Sequence, residues 1–262
     1  MRTEIIYEDR DLLVVRKPAG LASQTSEVRR QDVVSELKNY LSAHCFKDPL
    51  SEEATAYKIR HQEPFLGVVH RLDQPVEGLL VFAKNKKTAA DLSAQLQGRE
   101  SAGALNKRYY AVLCGEPAQD AEELIDYMYK DNSRRAVVLD REDRGRFPQA
   151  GKAVLFFSVL KKMRVPDTGL RDRKALPEKL TLADIRIDTG RFHQIRAQMA
   201  HKGLPLLGDM KYGSEASMAL SRQLGIKNAA LCAYCLEFTH PATKEKLRFQ
   251  TEAEGEAFRL FS

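Results

Sequence analysis

The sequence predicts an α+β fold, in which one large, mixed and mostly antiparallel sheet is flanked by helices. Seven or eight short segments have the alternating or β-branched character of strands, and three or four show the apolar spacing of amphipathic helices. The two kinds of segment do not alternate strictly, as they would in a parallel βαβ sheet. No repeat or linker interrupts the 262 residues, so we expect a single domain spanning residues 1–262.

The composition is that of a globular protein with a basic charge balance. Hydrophobic residues make up 43% and charged residues 30% of the chain, and the formal net charge is +6. A positive balance favours a polyanionic partner. Between Arg141 and Lys174, ten basic residues face four acidic ones, an excess equal to that of the whole chain. This stretch is either a solvated loop or a flank that contacts phosphates.

Targeting and cysteine signals point to a cytoplasmic protein. No apolar run is long enough to span a membrane, and the N-terminus has acidic residues where a secretory signal needs an apolar core. Cys232 and Cys235 lie on a predicted strand, where residues three apart point to opposite faces, and no second pair completes a zinc site. We therefore expect reduced, buried cysteines, with no disulfide and no metal.

The first elements are predicted to be a strand pair and a helix. Residues 5–7 and 12–15 are rich in β-forming residues and are separated by four charged residues, which is typical of a hairpin. Pro18 ends the second strand because it cannot donate to a ladder. From Asp32, a suitable N-cap, apolar residues recur at helical spacing to about residue 42.

The central stretch, residues 67–84, places charged side chains between two apolar runs. His70, Arg71 and Asp73 follow the apolar residues 68–69 and precede the apolar run 79–83. Burying such charges is costly unless they are paired or used in function. The pattern predicts a site built at strand ends, with Asp73 as its central residue.

Further elements follow in order after this stretch. A helix is predicted after Lys84, with Asn85 or Thr88 as its N-cap and Gly98 as its stop. Residues 107–113, 151–160 and 181–188 are predicted strands, the last with one buried and one polar face.

The segment 189–196 is predicted to turn the preceding strand into a helix. Phe192, Ile195 and Met199 are expected to form its apolar side, and Gly203 to supply a left-handed C-terminal residue. Its two charged residues, His193 and Arg196, are three apart and are predicted to share a face. Strands at 231–238 and 246–251 close the chain.

An aspartate and an arginine from separate elements, such as the segments 70–73 and 191–196, could form a buried ion pair that is either structural or catalytic. A carboxylate beside an arginine stays ionised, which suits a nucleophile or an electrostatic stabiliser better than a general acid. A glycosidase would need a second carboxylate across the bond, and none is evident nearby. A metal-dependent hydrolase using His70, Asp73 and His193 would lack a motif with ligand spacing.

Four motifs, taken in order, resemble the RluA-type RNA pseudouridine synthases. They read IIYEDRDLLVVRKPAGL, VVHRLD followed by GLLVFAK, KRYYAVLCG, and TGRFHQIRAQMAHKGLPLLGDMKYG. The resemblance covers almost the whole chain. It implies the pseudouridine synthase fold, with a central active-site cleft in a single catalytic domain over residues 1–262. No S4-like RNA-binding domain is expected, because the first strand begins at residue 4.

The resemblance also implies an activity, the isomerisation of specific uridines in rRNA or tRNA to pseudouridine. It implies RNA as the partner, no membrane, no cofactor and no metal, and a monomeric enzyme. Asp73 would be the catalytic aspartate, Tyr109 would stack on the target base, and Arg196 would pair with Asp73. Attack at C1′, attack at C6 and removal of a ribose proton all remain open for Asp73.

The remaining site residues also follow from the resemblance. Arg71 is expected to help displace the target nucleotide from its RNA stack. Support of the site and contact with RNA are expected from His70, Lys107, Arg191 and His193.

Residues 75–77 depart from the family pattern. The family usually continues after HRLD with an acidic residue and Thr-Ser-Gly, whereas Pro75, Val76 and Glu77 precede Gly78 here. The two missing hydroxyls would help to hold the loop, so the change bears on loop geometry or substrate preference. The alternative function is therefore a catalytically impaired RNA-binding protein with the same fold.

Overall fold

A computed structural model describes residues 1–25, 27, 30–44, 63–98, 104–165 and 176–262. These residues divide into two compact units. The first comprises Met1–Asn106 with Cys235–Thr251, and the second comprises Lys107–Tyr234 with Glu252–Ser262. The single domain over residues 1–262 stays a prediction. The predicted exposed loop from residue 48, and part of the basic stretch, lie outside the described residues, as do Cys45, Arg171, Arg173 and Lys174.

The described residues form eleven strands and four α-helices. In chain order the strands are β1 (Glu4–Glu8), β2 (Leu12–Lys17), β3 (Gly67–Val68), β4 (Glu77–Ala83), β5 (Asn106–Cys114), β6 (Ala121–Lys130), β7 (Ala136–Leu139), β8 (Gly151–Arg164), β9 (Lys179–Ile187), β10 (Leu231–Thr239) and β11 (Lys246–Gln250). The helices are α1 (Val33–His44), α2 (Lys86–Gln97), α3 (Gln194–His201) and α4 (Glu215–Gln223). Short 3₁₀ helices occur at Arg141–Arg146 and Phe258–Phe261.

In the first unit, β1, β2, β4 and the second half of β10 lie side by side, with β3 on β4 and β11 on β10. The pairs β1–β2, β2–β4, β3–β4 and β10–β11 are antiparallel, which confirms the predicted hairpin. Both predicted helix starts are also confirmed. An Asp32 Oδ1 accepts the Ser35 N–H at 2.7 Å, and Asn85 Oδ1 accepts the Thr88 N–H at 2.9 Å.

The core of the first unit joins segments from both ends of the chain. Strands β2 and β4 are buried along almost their whole length, and they pack with Leu92 of α2 and with Leu236 and Phe238 of β10. Leu247 and Phe249 of β11 pack against the same cluster. The apolar content of these strands explains their position, because burial of such side chains is the main favourable term in folding.

In the second unit the strand order is β5-β9-β8-β6-β7, and each of these pairs is antiparallel. The predicted alternation of β9 holds for Ala183 and Ile185, which are fully buried, and for Arg186, which is exposed. Asp184 is an exception on the polar face. It is buried because its carboxylate accepts hydrogen bonds from Arg108 and from the Tyr234 hydroxyl.

Two strands and one helix of the second unit, β6, β7 and α4, have no counterpart among the predicted elements. In β6 only Leu124 and Met128 are buried, whereas Ile125 is 46% exposed. Acidic residues are uncommon in strands, and those of β6 interrupt the alternation of apolar and polar residues by which a strand would be predicted.

The remaining sequence expectations concern membranes and cysteines. Among the described residues, no helix combines the length and apolar character that a membrane span requires. Cys114, Cys232 and Cys235 are buried thiols, as predicted. Burial raises the pKa of Cys114 to about 12. The antiparallel strands with packed helices confirm the predicted α+β class.

Candidate active site

The segment that carries Asp73, residues 69–76, connects β3 to β4 and is called the Asp73 loop below. Leu72 and Val76 are buried at 7% and 2% exposure, whereas Arg71 is exposed and Asp73 is half-buried. The Val76 N–H donates to the Asp73 carbonyl at 3.0 Å, which closes a turn. Two apolar residues thus fix the loop to the unit, while its charged side chains remain near the surface.

The backbone on either side of Asp73 is held by the segment that follows β2. The Ser23 hydroxyl donates to the Leu72 carbonyl at 2.8 Å and accepts the Leu72 N–H at 3.1 Å. The Gly20 N–H donates to the Gln74 carbonyl at 2.8 Å. Because the residues immediately before and after Asp73 are both bound, the position of the aspartate backbone is restricted.

Lys17, a residue to which the sequence assigned no role, lies beneath this arrangement. Its side chain is fully buried, and its Nζ donates to the carbonyls of Pro18, Leu21 and Gln74 at 3.0, 2.6 and 3.1 Å. Burial lowers the pKa of Lys17 to about 7, and the nearby negative charge of Asp73 opposes this shift. One side chain therefore ties the end of β2 to the Asp73 loop.

Three side chains at the two ends of the Asp73 loop are buried, those of His70, Val76 and Glu77. His70 is buried, and its Nε2 accepts the Val81 N–H at 3.4 Å. Glu77 is also buried, with its Oε2 3.9 Å from an Arg16 guanidinium nitrogen. Val76 is 2% exposed, so its apolar packing restrains the loop at this position.

In the second unit, Arg196 forms a buried ion pair with Asp209. The distances are 2.7 Å from Nε to Oδ2 and 2.8 Å from Nη2 to Oδ1, and the two residues are 5% and 1% exposed. Asp209 Oδ1 also accepts the N–H groups of Lys211 and Tyr212. Burial opposes ionisation of this carboxylate, but the hydrogen bonds and charge of Arg196 lower the pKa of Asp209 below its ordinary value.

Tyr212 links Arg196 to His193. The Arg196 guanidinium lies 5.1 Å from the centre of the Tyr212 ring, and the Tyr212 hydroxyl is 2.8 Å from His193 Nδ1. The same hydroxyl accepts the Ala136 N–H at 2.8 Å, so its own proton is available for the histidine. His193 has a left-handed backbone, with φ of 52°. Both His193 and Arg196 therefore contact Tyr212, although His193 lies before the first residue of the helix.

The junction between β9 and α3 is organised by Gln194. Its Oε1 accepts from the Thr189 hydroxyl at 2.8 Å and from the Arg191 N–H at 2.9 Å, while its Nε2 donates to the Val154 carbonyl at 3.0 Å. Gly203 ends the helix with φ of 82°, as predicted. No role was predicted for Gln194, although its buried amide holds the chain between Arg191 and His193 in place.

Arg191 and Phe192 lie at the surface. Arg191 Nε donates to the Lys152 carbonyl at 3.0 Å, and its guanidinium lies so near Gly151 that a Cβ at that position would collide with it. Phe192 is 38% exposed and stacks on the His193 ring at 3.7 Å. The prediction that Phe192 belongs to the apolar side of α3 is therefore wrong, because the helix begins two residues later.

Tyr109 and Lys107 both lie on β5. Tyr109 is 5% exposed and Lys107 is half-buried. The neighbouring Tyr110 points to the opposite face, where its ring is 3.7 Å from that of Tyr234 and nearly parallel to it. This stack gives Tyr110 a structural explanation and leaves Tyr109 as the tyrosine on the other face of the strand.

Comparison with known proteins identifies the family. A sequence profile described as RNA pseudouridylate synthase matches residues 11–201, which include the Asp73 loop, Tyr109 and Arg196. The chain belongs to this family. It is an RNA pseudouridine synthase, an isomerase that acts on RNA, and the resemblance read from the sequence is confirmed.

Curated relatives support this assignment along the whole synthase. It is 29% identical to a tRNA pseudouridine synthase C of Haemophilus ducreyi, covering 100% of this chain and 96% of the relative. It is also 29% identical to a ribosomal large subunit pseudouridine synthase D of Zymomonas mobilis, over 98% of this chain and 71% of the relative. These relatives favour an active enzyme over an impaired RNA-binding protein.

Solved structures show the same fold as the synthase. Human RNA pseudouridylate synthase domain containing 4 matches with a TM-score of 0.63 and 21% identity, covering 95% of this chain and 88% of the human chain. Human RNA pseudouridylate synthase domain containing 1 gives a TM-score of 0.64 at 18% identity, over 95% and 83% of the two chains. The predicted pseudouridine synthase fold is thereby confirmed.

Asp9, Asp11 and His240 of the synthase form a group whose ligand atoms lie within 4.8 Å of one another, as in a metal site. Their hydrogen bonds favour a different explanation. His240 Nδ1 accepts the N–H groups of Ala242 and Thr243, so its Nε2 carries the proton and donates to Asp9 at 2.8 Å. Proton donors thus occupy the atoms that a cation would need.

The basic stretch is partly neutralised within the described residues. Lys162 is 2.7 Å from Asp120 and 3.1 Å from Glu116, and Lys161 Nζ donates to the Phe261 carbonyl at 2.7 Å. These contacts favour a structural part for both lysines over contact with phosphates.

The eight predicted site residues of the synthase fall into two groups. His70, Arg71 and Asp73 belong to the first unit. The second unit contains the others, Lys107, Tyr109, Arg191, His193 and Arg196. The pairing of Asp73 with Arg196 and the stacking of the target base on Tyr109 stay predictions.

Proposed function

We propose that this synthase converts a uridine of a structured RNA to pseudouridine with Asp73 as its catalytic aspartate. The observation that carries the proposal is the restraint of the Asp73 loop. Lys17 and Ser23 bind the backbone on both sides of Asp73, while the aspartate side chain stays half-buried near the surface. A preorganised loop keeps a reacting group in position, which is worth several kcal/mol in many enzymes.

Arg196 is proposed to be the cation that pairs with Asp73. Its guanidinium is fixed by two hydrogen bonds to Asp209 and by the face of Tyr212. A fixed arginine loses little conformational entropy when it binds a second carboxylate. Tyr109 is proposed to stack on the target base.

The reaction is an isomerisation and needs no other reactant. The C1′–N1 bond breaks, the uracil turns, and a C1′–C5 bond forms. A proton leaves C5 and N1 gains one, so that atoms and charge balance. The proposal assigns Asp73 to the step that frees the base, by attack at C1′, by attack at C6 or by removal of a ribose proton.

Two of the remaining predicted residues take different parts. Arg71 is exposed on the loop, two residues before Asp73, and is proposed to enter the RNA stack when the target base is flipped. His70 is buried and accepts the Val81 N–H. We therefore propose that His70 anchors the loop to β4 in place of the RNA contact expected from the sequence.

The substrate is proposed to be tRNA or rRNA, in accord with the names of the relatives. Action in the cytoplasm as a monomer, without metal or cofactor, is part of the same proposal. Mapping pseudouridines in the tRNA and rRNA of cells with and without the gene would identify the site. A uridine modified only in the presence of the gene is the expected result.

The catalytic role of Asp73 is tested with the purified Asp73→Asn variant on transcripts that contain the mapped uridine. It should bind the RNA with wild-type affinity and form no pseudouridine. Asp91→Asn is the matched control, because it makes the same chemical change on α2 of the same unit and should retain activity. Product formation by Asp73→Asn at the wild-type rate would contradict the proposal.

A further inference from the structure

An exposed aromatic ring lies among cations on the surface of the second unit. Phe192 is 38% exposed. One face of its ring stacks on His193, with ring centres 3.7 Å apart and planes 21° apart. The ammonium of Lys130 lies 4.8 Å from the ring centre, and that of Lys211 lies 6.0 Å away. Because His193 covers one face, Lys130 lies over the other.

The surroundings of this ring are built from the β6–β7 turn and the segment after Asp209. Lys211 Nζ donates to the Arg134 carbonyl, and the Arg135 guanidinium donates to the Lys211 carbonyl. The Arg135 guanidinium also lies 5.3 Å from the centre of the Tyr212 ring. These crossed contacts hold two exposed segments together beside Phe192.

The charge of this surface is strongly positive. Within it, Asp131 accepts the Arg135 N–H and the Ser133 hydroxyl and so closes the turn. The ammonium groups of Lys130 and Lys211 lie nearest the ring, and three further basic residues, Arg134, Arg135 and Arg191, belong to the same segments. Cations arranged around an exposed aromatic ring match the chemistry of a single-stranded nucleic acid, which offers phosphates together with unpaired bases.

We propose that Phe192, Lys130, Arg135 and Lys211 form a platform for single-stranded RNA, on which one unpaired base beside the target uridine stacks on the Phe192 ring. This rests on the proposed function, because it takes the substrate RNA as the ligand. The cations bind the phosphates on either side of that base. Since stacking on an aromatic ring tolerates all four bases, the platform selects an unpaired nucleotide and not a particular sequence.

Binding requires one local change at the ring. The base takes the place of the Lys130 ammonium on the outer face, and Lys130 moves to a neighbouring phosphate. Stacking of a base on an aromatic ring is typically stronger than the contact of an exposed ammonium with a phenyl ring, so the exchange is favourable. His193, which is joined to Tyr212, supports the ring from behind.

A tryptophan at this position would report stacking directly. The chain has no tryptophan, so Phe192→Trp creates a protein with a single indole fluorophore. A single-stranded oligouridylate of about 12 nucleotides, near the site size of such surfaces, should quench its emission. Phe156→Trp is the matched control, because Phe156 is 36% exposed on β8 with the Arg186 guanidinium 5.6 Å from its ring. Equal quenching of both variants would overturn the proposal.

Affinity measurements separate the ring from the cations. Phe192→Leu should weaken binding of the same oligouridylate about tenfold without changing the salt dependence, since no phosphate contact is lost. Lys130→Ala should reduce the slope of log affinity against log salt by about 0.7, the value for one phosphate of a single strand. An RNA duplex of the same length offers no unpaired base, so wild type and Phe192→Leu should bind it with equal affinity. An unchanged affinity of Phe192→Leu for the oligouridylate would contradict the proposed platform.

The outcome is independent of catalysis, because binding is measured without turnover. If the proposed function fails, no pseudouridine forms in the wild-type protein whatever the binding result. If only the platform fails, wild-type protein makes pseudouridine and Phe192→Leu binds the oligouridylate as wild type does.

Discussion

Arg196 and Asp209 meet through two hydrogen bonds of 2.7 and 2.8 Å, at a place where the Asp209 side chain is fully shielded from water. A bidentate pair of this kind fixes the plane of the guanidinium as well as its position. The face of the Tyr212 ring supports the same group. Arg196 is therefore oriented by its own unit before any RNA binds.

Asp209→Asn should strongly destabilise the protein. The change removes the negative charge that compensates a buried arginine, and breaking such a pair typically costs about 3–5 kcal/mol. Urea denaturation followed by circular dichroism measures the loss. Asp188→Asn is the control, because Asp188 pairs with Arg186 on an exposed surface and should change stability by less than about 1 kcal/mol. Equal effects of the two variants would contradict the importance of the buried pair.

Lys17 should make stability depend on pH in the alkaline range. Its pKa in the folded protein is about 7, below the value of about 10.4 in an unfolded chain. Between these pH values the unfolded state binds more protons, so the free energy of unfolding rises with pH. Relative to Lys17→Met, wild type should gain up to about 1.4 kcal/mol per pH unit from pH 7 toward 10.

The control for Lys17 is Lys38→Met. Lys38 is partly exposed on α1 and forms an ion pair with Glu63. The difference in free energy of unfolding between wild type and Lys38→Met should therefore change little with pH. Urea denaturation of wild type and both variants at several pH values measures these differences. A flat difference for Lys17→Met as well would show that Lys17 does not titrate in this window.

Ser23→Ala should lower kcat more than it raises KM. The change removes the hydroxyl that binds both the N–H and the carbonyl of Leu72, the residue before Asp73. Leaving these buried groups without a partner costs about 1–3 kcal/mol, part of which loosens the loop. Ser23→Thr keeps a hydroxyl and should recover activity. Ser93→Ala, which removes a hydroxyl bonded to the Ala89 carbonyl on α2, should leave kcat unchanged.

Gly151→Ala should weaken RNA binding with little loss of stability. The new methyl group would collide with the Arg191 guanidinium, a flexible and exposed group that can move away. Moving it breaks the Arg191 Nε bond to the Lys152 carbonyl. If Arg191 contacts RNA as predicted, Gly151→Ala and Arg191→Ala should each weaken binding several-fold. The double variant should be no worse than Arg191→Ala alone, because the two changes act through one side chain.

Local signals in the sequence were sufficient for several elements. Asp32 and Asn85 begin helices by accepting N–H groups three residues ahead, a contact that short-range spacing reveals. The left-handed Gly203 follows from the same kind of signal. Phe192 was misplaced because helical spacing was counted across residues that precede the helix.

Contacts between distant residues could not be read from the sequence. Lys17 reaches a carbonyl 57 residues away, and a lysine in an apolar strand gives no periodic sign of this. Asp209 lies 13 residues from Arg196, within the fourth of the quoted motifs, but the motif does not say which carboxylate the arginine meets. The roles of Lys17 and Asp209 depend on contacts that form only when the folded chain brings buried donors and acceptors together.

The composition of the first unit has a consequence for synthesis of the chain. Leu236 and Phe238 complete the hydrophobic cluster around β2 and β4, and the unit includes residues up to Thr251. A growing polypeptide emerges at roughly 5–20 residues per second. The N-terminal segment of the unit is therefore synthesised well before β10 and β11, which complete its core. The Asp73 loop thus gains a complete core beneath it only after β10 and β11 have been synthesised. An unfinished chain that stops before Cys235 would carry Asp73 without the completed core that supports it.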